Sequence, residues 1–576
     1  MPWQHSKKGD DNTMKQTKRR ITAILLCGLL LLSSCGAQNT AEDTSNTDNT
    51  QTASSGNTTV ATVSAIDISG VFSDRDLAGT YDESEAIPVV LNGDSASCGS
   101  SSVVIDGSTI TITAEGVYLI SGTLNDGQII VNAGDTDKVQ LVLAGADITS
   151  STSAAVYALN ADKVFVTLAE GTQNVLINGG EYVAIDDNKI DAVIFAKTDL
   201  TLNGTGSLTV NAQAGHGVVS KDDLVITGGS YTITAASHGL SGKDGIAIAE
   251  GTFAITSGKD GIHAENSDDS SLGWLYIQDG SFTITAQGDA VSAMGALQID
   301  GGTFDLYTGE GSASVEMTSS DQFGGGQRGG WTNQTTAPDT QTTSSTQTEE
   351  DSTSQKGIKG ESTYAINGGT FTIDSADDCL HAGGEMVIAA GAFTLNSGDD
   401  AVHCDDALTI QSGTFTIPYC YEGIEGLSIT IEDGMFDITS NDDGLNAAGG
   451  ADSSGFGGFG NRPQDTFASS SDSFILINGG TFTIVSIGDC VDSNGSLTIN
   501  GGTLDLTCNG SGNTAIDCDG TYANNGGDVT TNDGSEENPG QMGGGMGGQA
   551  GRGGKGAGGS QAGTADFGQP EQASGA

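Results

Sequence analysis

The stretch YAINGGTFTI, from Tyr364 to Ile373, is followed by MVIAAGAFTL from Met386 and LTIQSGTFTI from Leu408. In each, alternating apolar and polar residues run into a glycine and resume behind it, the pattern of two short strands joined at a tight turn. The same register recurs as LVITGGSYTI from Leu224, IAIAEGTFAI from Ile246, LYIQDGSFTI from Leu275, LQIDGGTFDL from Leu297, ITIEDGMFDI from Ile429, ILINGGTFTI from Ile475 and LTINGGTLDL from Leu497. The large residue after the turn falls at Tyr231, Phe253, Phe282, Phe304, Phe371, Phe393, Phe415, Phe436, Phe482 and Leu504, most often 22 residues apart. Two spacings are longer, 67 and 46 residues, and contain Gly-, Ser-, Thr-, Gln- and Asp-rich insertions at about 320–360 and 449–473. Such composition predicts disordered loops.

A third segment follows each strand pair. It reads HGVVS from His216, HGLS from His238, DGIH from Asp260, DAVS from Asp289, DCLH from Asp378, DAVH from Asp400, EGIE from Glu422, DGLN from Asp443, DCVD from Asp489 and TAID from Thr514. One column is always aliphatic, from Val218 to Ile516, and alternation makes it the inward ladder. Its neighbours are expected to face outward: a small column (Gly, Ala or Cys) and a polar column in which His381, His403, Glu425 and Asn446 are the expected carbohydrate contacts. Small side chains flanked by acids predict a shallow floor for an extended ligand. One repeat cannot bury its own apolar face, so repeats must stack. The expected fold is all-β: a right-handed parallel β-helix, a three-sided solenoid of about 22 residues per coil. A β-sandwich would not repeat a shared third segment.

Formal charge is −54. That excludes nucleic acid as a partner and favours recruitment of cations. At the N-terminus, Lys15, Lys18, Arg19 and Arg20 precede an apolar run from Ile21 to Leu32, too short to span a bilayer comfortably. Leu32-Ser33-Ser34-Cys35 follows and resembles a bacterial lipobox, which implies cleavage before Cys35, lipid on its sulfur and a place on the outer face of the cell membrane. Met14 is a plausible start. The expected layout is a leader over 1–34, a polar tether over 35–59, the β-helix over 60–530 and a disordered Gly-rich tail over 531–576. The membrane is reached through the lipid alone. Of the nine cysteines, Cys27 lies in the leader and Cys35 is the lipid site; the other seven form no CxxC pair, which argues against zinc. Several occupy Ala or Gly positions of the repeat and read as small packed thiols.

Acids gather at the head of the third segment, doubled in Asp377-Asp378, Asp399-Asp400 and Asp442-Asp443, with Asp405, Asp489, Asp492 and Asp517 nearby. Stacking brings carboxylates of successive turns together, where like charges are costly without a cation. Calcium suits oxygen ligands in irregular geometry. An isolated Asp can instead cap a turn.

The GGTFTI coil, the DDGxx-type segment and the leader together resemble the clostridial carbohydrate-binding β-helix proteins, similar in fold to family-nine pectate lyases. The resemblance covers roughly residues 100 to 520 and implies a calcium-bearing β-helix that binds acidic plant cell-wall polysaccharide, polygalacturonate above all, with cellulose as a further ligand. In the lyase-like site two consecutive Asp and an acid three residues beyond the second share calcium. That implies Asp377 and Asp378 with His381, Asp399 and Asp400 with His403, and Asp442 and Asp443 with Asn446; in all three the last ligand departs from the pattern. Asp489 with Asp492 keeps the later acid but has Gly488 where the first Asp belongs.

Polysaccharide β-elimination needs a base, Lys or Arg in such lyases, and between residues 361 and 550 the only basic side chain is Arg462, inside an insertion. Lys243 and Lys259 are the remaining candidates. The leading expectation is therefore non-catalytic calcium-dependent binding, with Trp274, Tyr276, Tyr419 and Tyr421 as aromatics for stacking on sugar or for packing. A lyase and a purely structural stalk or adhesin are the alternatives.

Overall fold

The computed structural model describes residues 63–317, 354–448 and 473–539. The leader, Cys35, the expected tether, most of both insertions and the chain beyond 539 lie outside the described residues. Among the described residues no helix is long and apolar enough to cross a membrane.

Each central repeat supplies three short strands. Leu380–Ala382, Met386–Ile388 and Ala392–Ser397 make one such set. They pair in parallel with the same strands of the next repeat, placing Leu380 beside Val402, Met386 beside Leu408 and Phe393 beside Phe415. The first strand of each set joins a 15-stranded sheet and the other two a 28-stranded sheet. Helix is confined, among the described residues, to Asp74–Ala78 and a short 3₁₀ turn at Ser312–Ser314. The chain is all-β, and its sheets are built by repeats stacked in parallel.

Large side chains at the turn hold the stack together. Phe253, Phe282, Phe304, Phe371, Phe393, Phe415, Phe436 and Phe482 form one column of nearly parallel rings with centroids 4.5 to 5.0 Å apart. The glycine two residues before each ring is obligatory. At Gly391 the backbone has φ 149°, and an added Cβ would lie 2.7 Å from the Phe393 ring. At Gly369, φ is 119° and the same atom would meet both Phe371 and the Gly302 carbonyl at about 3 Å.

The long spacings interrupt the chain but not the ladder. Phe304 pairs directly with Phe371, and Phe436 with Phe482. Between Val291 and Leu380 stands Ile358, in the strand Ile358–Gly360. The first insertion therefore does not extend to Gly360 as expected. Residues 356 to 360, KGIKG, are a third segment in which lysines occupy the two polar positions where the other central repeats carry acids, histidines or neutral polar groups, and this disguised them.

The small column does not face outward. Cys379, Ala401 and Cys490 are buried and belong to the core. They precede the strand at a corner, where the chain direction changes and alternation no longer applies. At the glycine member Gly239 an added Cβ would strike Ile255 and the Gly261 carbonyl. The expected floor is core, and a shallow groove lies instead along the glycine turns at Gly229, Gly251 and Gly280. All seven described cysteines are free thiols.

Residues 63 to 80 run as a strap across the outside of the stack. Asn367 exchanges two hydrogen bonds with Val63, and Gln298 Oε1 accepts from the amides of Ala65 and Ile66. The strap packs on Trp274 and Tyr276, each 5 % exposed or less, so these two aromatics are covered rather than open to sugar. Tyr276 also donates to Asp300. At the far end, buried Asp76 caps the short helix through Ser73 and ion-pairs with Lys163 at 2.8 Å. Burial works against its charge, but Lys163, Ser73 and Thr201 together hold the carboxyl below the usual range. A depressed folded pKa stabilises above the unfolded value and is lost as pH falls through the folded one. The protection factors of residues 63 to 80, measured against the intrinsic exchange rate at each pH, should therefore be high at neutral pH and fall as the pH drops below about 4. An Asp76→Asn variant should show low protection throughout, and equal protection in the variant would remove Asp76 as the anchor.

Candidate functional site

Two columns of polar side chains run along the 15-stranded sheet. The head column contains Asp260, Asp289, Lys356, Asp378, Asp400, Glu422, Asp443 and Asp489; three residues on, the ladder column contains His263, Ser292, Lys359, His381, His403, Glu425, Asn446 and Asp492. Parallel pairing sets His381 beside Lys359 and His403, and Asn446 beside Glu425 and Asp492.

Head carboxylates serve the fold with one oxygen. Asp289 Oδ1 accepts the backbone N–H of Lys356 at 2.8 Å, Asp378 Oδ1 that of Asp400 at 3.0 Å, and Asp443 Oδ1 that of Asp489 at 2.6 Å. The capping role weighed for isolated Asp is real, but it caps the next repeat rather than its own. The second oxygen remains for chemistry.

What meets that second oxygen changes along the stack. Lys356, 3 % exposed, places Nζ 2.7 Å from Asp378 Oδ2 and 3.0 Å from Asp377 Oδ1. His381 Nδ1 adds a contact to Asp378 at 2.9 Å. Asp378 is fully buried, which opposes its charge, yet Lys356 and the His381 hydrogen bond hold it well below the usual carboxylate range. Asp377, Asp378 and Asp399 do come together as a possible cation cage. Its centre of charge is an ammonium of the chain itself.

One repeat on, Asp400, His403 and Glu425 are buried together. His403 Nδ1 lies 2.9 Å from both Asp400 and Glu425, and its Nε2 is 3.1 Å from Asp405. Burial opposes its proton, but three carboxylates raise it well above the ordinary imidazole value. His381, buried beside Lys356, shifts the other way. Both histidines, Glu425 and Asn446 are at most 8 % exposed, so the four residues expected to touch sugar are engaged inside the ladder.

Among the described residues from 361 onward there is no Lys or Arg. Burial raises Glu422 and Asp443 well above the usual range, reinforced by Glu425 and Asp400 for the first and by Asp492, Asp442 and Asp489 for the second. Asp489, Asp492 and Asp517 converge. Asn446 Nδ2 donates to Glu422 at 2.8 Å, while its buried Oδ1 has no hydrogen-bond partner. Asp489, Asp492 and Asp517 make an all-oxygen donor set suited to calcium, and Asn446 pairs with Asp492 on the neighbouring strand. Of the acids gathered at the segment heads, nine were expected to hold metal, all but Asp517: Asp443, Asp489 and Asp492 fit best, Asp442 lies beside them, Asp377 and Asp378 face Lys356, Asp400 and Asp405 face His403, and Asp399 sits between the last two groups. Lys356 and Lys359 were missed because their segment reads as insertion; Glu422 had been visible only as one more acid.

Comparison with known proteins places these features in context. The family model described as carbohydrate-binding domain-containing protein matches residues 106–401 and 399–539. A carbohydrate-binding domain-containing protein of Acetivibrio thermocellus is 44% identical over 128 residues, 22% of this chain and 45% of that protein, so the chain spans less than half of that relative. A solved structure described as a polysaccharide lyase-like protein from C. thermocellum, a gadolinium derivative, is 36% identical and covers 39% of this chain and 92% of its own, with a TM-score of 0.38. A TM-score that low carries no argument here.

Proposed function

Since the chain belongs to the carbohydrate-binding domain-containing family, we propose that it is a calcium-dependent, non-catalytic binder of acidic plant cell-wall polysaccharide, polygalacturonate in the first place, with cellulose as a further ligand. Its scaffold in this reading is a right-handed, three-sided parallel β-helix. Cys35 would carry lipid and hold the protein at the outer face of the bacterial membrane.

The observation that carries this reading is the convergence of carboxylates at the far end of the acid column. Asp489, Asp492 and Asp517 bring ligand oxygens within 4.8 Å of one another, and Asp443 lies close enough for Asp492 and Asp489 to add to the rise that burial gives its pKa; such an all-oxygen set suits calcium. Bound calcium would neutralise them and present open coordination positions to a uronate carboxylate. Lys359 adds a second anchor. It stands in the ladder column, its side chain 20% exposed, 2.6 Å from Glu361. Burial lowers its basicity, but Asp289 and Glu361 more than offset this and raise it. An ammonium held so firmly pairs with uronates and is a poor base, which favours binding over β-elimination.

Retention on immobilised polygalacturonate should require calcium and vanish on chelation, with no rise in absorbance from unsaturated products. A paired Asp489→Asn and Asp492→Asn variant should lose at least about tenfold in affinity, the scale of disrupted metal sites. Unsaturated products would make the protein a lyase. Retention indifferent to chelation would remove calcium from the account, and no retention at all would leave the structural stalk.

A further inference from the structure

The histidines of the early repeats lie apart from the acids just described and use different chemistry. His216, His238 and His263 stack on one another, with ring centroids 5.1 and 4.2 Å apart. Asp260 lies between the last two: its Oδ2 is 3.5 Å from His238 Nδ1 and 2.6 Å from His263 Nδ1. We propose that His238, Asp260 and His263 form a binding centre for a borderline first-row divalent cation such as zinc, which neither the glycan reading nor the calcium reading requires.

Geometry supplies the first reason. Ligand atoms of the three residues all lie within 4.8 Å of one another. Bonds of about 2.0 to 2.2 Å in a tetrahedral array separate ligand atoms by about 3.4 Å. The two separations to Asp260 bracket that value, so a cation is seated by small side-chain rotations. The supports are rigid, since Leu240–Gly242 and Ile262–Ala264 are adjacent paired strands.

Ring orientation supplies the second. His263 Nε2 lies 2.9 Å from Glu265 Oε2, a carboxylate that can only accept, so Nε2 carries a proton and Nδ1 is the nitrogen turned to Asp260, at 2.6 Å. A carboxylate behind an imidazole is the usual outer support of a metal-bound histidine. Burial opposes the charged ring, but Asp260 and Glu265 raise its proton affinity, so a cation at Nδ1 would displace the proton shared with Asp260. In His238 the Nδ1 accepts the backbone N–H of Asp260 at 3.2 Å, so this nitrogen also faces the centre, and metal would take over that long contact. Both rings thus turn Nδ1 toward Asp260.

Ligand type supplies the third. Two imidazoles and one carboxylate suit zinc, cobalt, nickel and copper, whereas calcium takes oxygens. Three protein ligands leave a coordination position open, so the ion would hold water or an exogenous ligand.

Calorimetric titration of the full chain with zinc, in excess calcium, should show one site. Asp260→Asn and His263→Gln should each weaken it at least about tenfold, and Glu265→Gln, which touches only the support, by about ten- to a hundredfold. His381→Gln, in the other histidine pair, should leave it unchanged. Cobalt in the same site should show a nitrogen and oxygen ligand-field spectrum without a thiolate charge-transfer band, which excludes the half-buried Cys98 and Cys518. Each variant is compared at matched circular dichroism, and the exposed Glu265→Gln keeps the test open if the others misfold. Absence of zinc binding, undiminished binding in the variants, or a thiolate band overturns the proposal. Calcium-dependent retention on polygalacturonate, measured on the same variants, should not move, which separates this centre from the glycan reading.

Discussion

A Lys356→Met variant is expected to unfold at distinctly lower denaturant than the parent, with a loss of about 3 to 5 kcal/mol, the cost of leaving buried charge uncompensated. Lys356 is 3 % exposed, and its ammonium lies within 3.0 Å of Asp377 and Asp378. Methionine fills similar volume, so the effect reports charge rather than cavity. His381 still reaches Asp378, and burial, the largest cause of its downward shift, still opposes a charge on it once Lys356 is gone. The three clustered acids Asp377, Asp378 and Asp399 then resemble the carboxylate cluster at the far end of the column. Calcium should accordingly restore part of the stability of the variant while doing less for the parent at this position. Urea unfolding with calcium and with chelator measures both effects. An unchanged midpoint would mean that water or rearranged side chains satisfy these acids, and that the lysine does not organise the column.

The second large effect is expected in the ring column. Phe371 is fully buried between Phe304 at 4.7 Å and Phe393 at 4.8 Å. Phe371→Ala should cost about 3 to 5 kcal/mol through lost burial and the cavity left behind. Relaxation cannot close that gap, because the neighbouring rings are fixed by strands paired on both sides. Phe371→Leu should cost clearly less, since Leu504 already fills the equivalent place in a later repeat, between Phe482 and Val529. Stability in such an array is close to a sum of repeat and interface terms, so loss at this interior interface should also lower the protection of the two flanking repeats. Thermal and urea unfolding of both variants, with hydrogen exchange across Thr370–Ser375 and Ala392–Ser397, provide the comparison. Equal costs for alanine and leucine would mean that shape in the ring column is immaterial.

The two effects bear on different parts of one design. Phenylalanines and the aliphatic column hold the repeats in register, and that register decides which polar residue stands over which. A shift by one repeat would set Lys356 against a different acid, or none. The chemistry of the outer columns thus depends on the packing of the inner ones.

Periodicity made the ring column legible before any coordinates. Each Phe follows a glycine by two residues, and that glycine tolerates no other residue because of its backbone angle and the ring lying over it. Aliphatic alternation in the third segment gave the inward ladder equally well, from Val218 to Ile516. The small column was misjudged because alternation holds only within a strand, and Cys379, Ala401 and Cys490 sit at a corner just before one. Trp274 and Tyr276 were ambiguous for another reason. They do face outward from the sheet, but residues 63 to 80 return from far away in sequence to cover them.

The site shows the same division. Acids at the head of each third segment could be counted from the sequence, and stacking implied that they would crowd. Their individual roles could not be, because each depends on a neighbour at least 20 residues away: Asp378 on Lys356, Asp443 on Asp489 and Asp492, Asn446 on Glu422. Repeat length, strand pattern, turn glycines and the excess of acid are local properties, written into residues close along the chain. Which carboxylate meets an ammonium, which meets an imidazole and which meets other carboxylates is set by the register between repeats, and hydrophobic packing fixes that register only when the whole stack has formed.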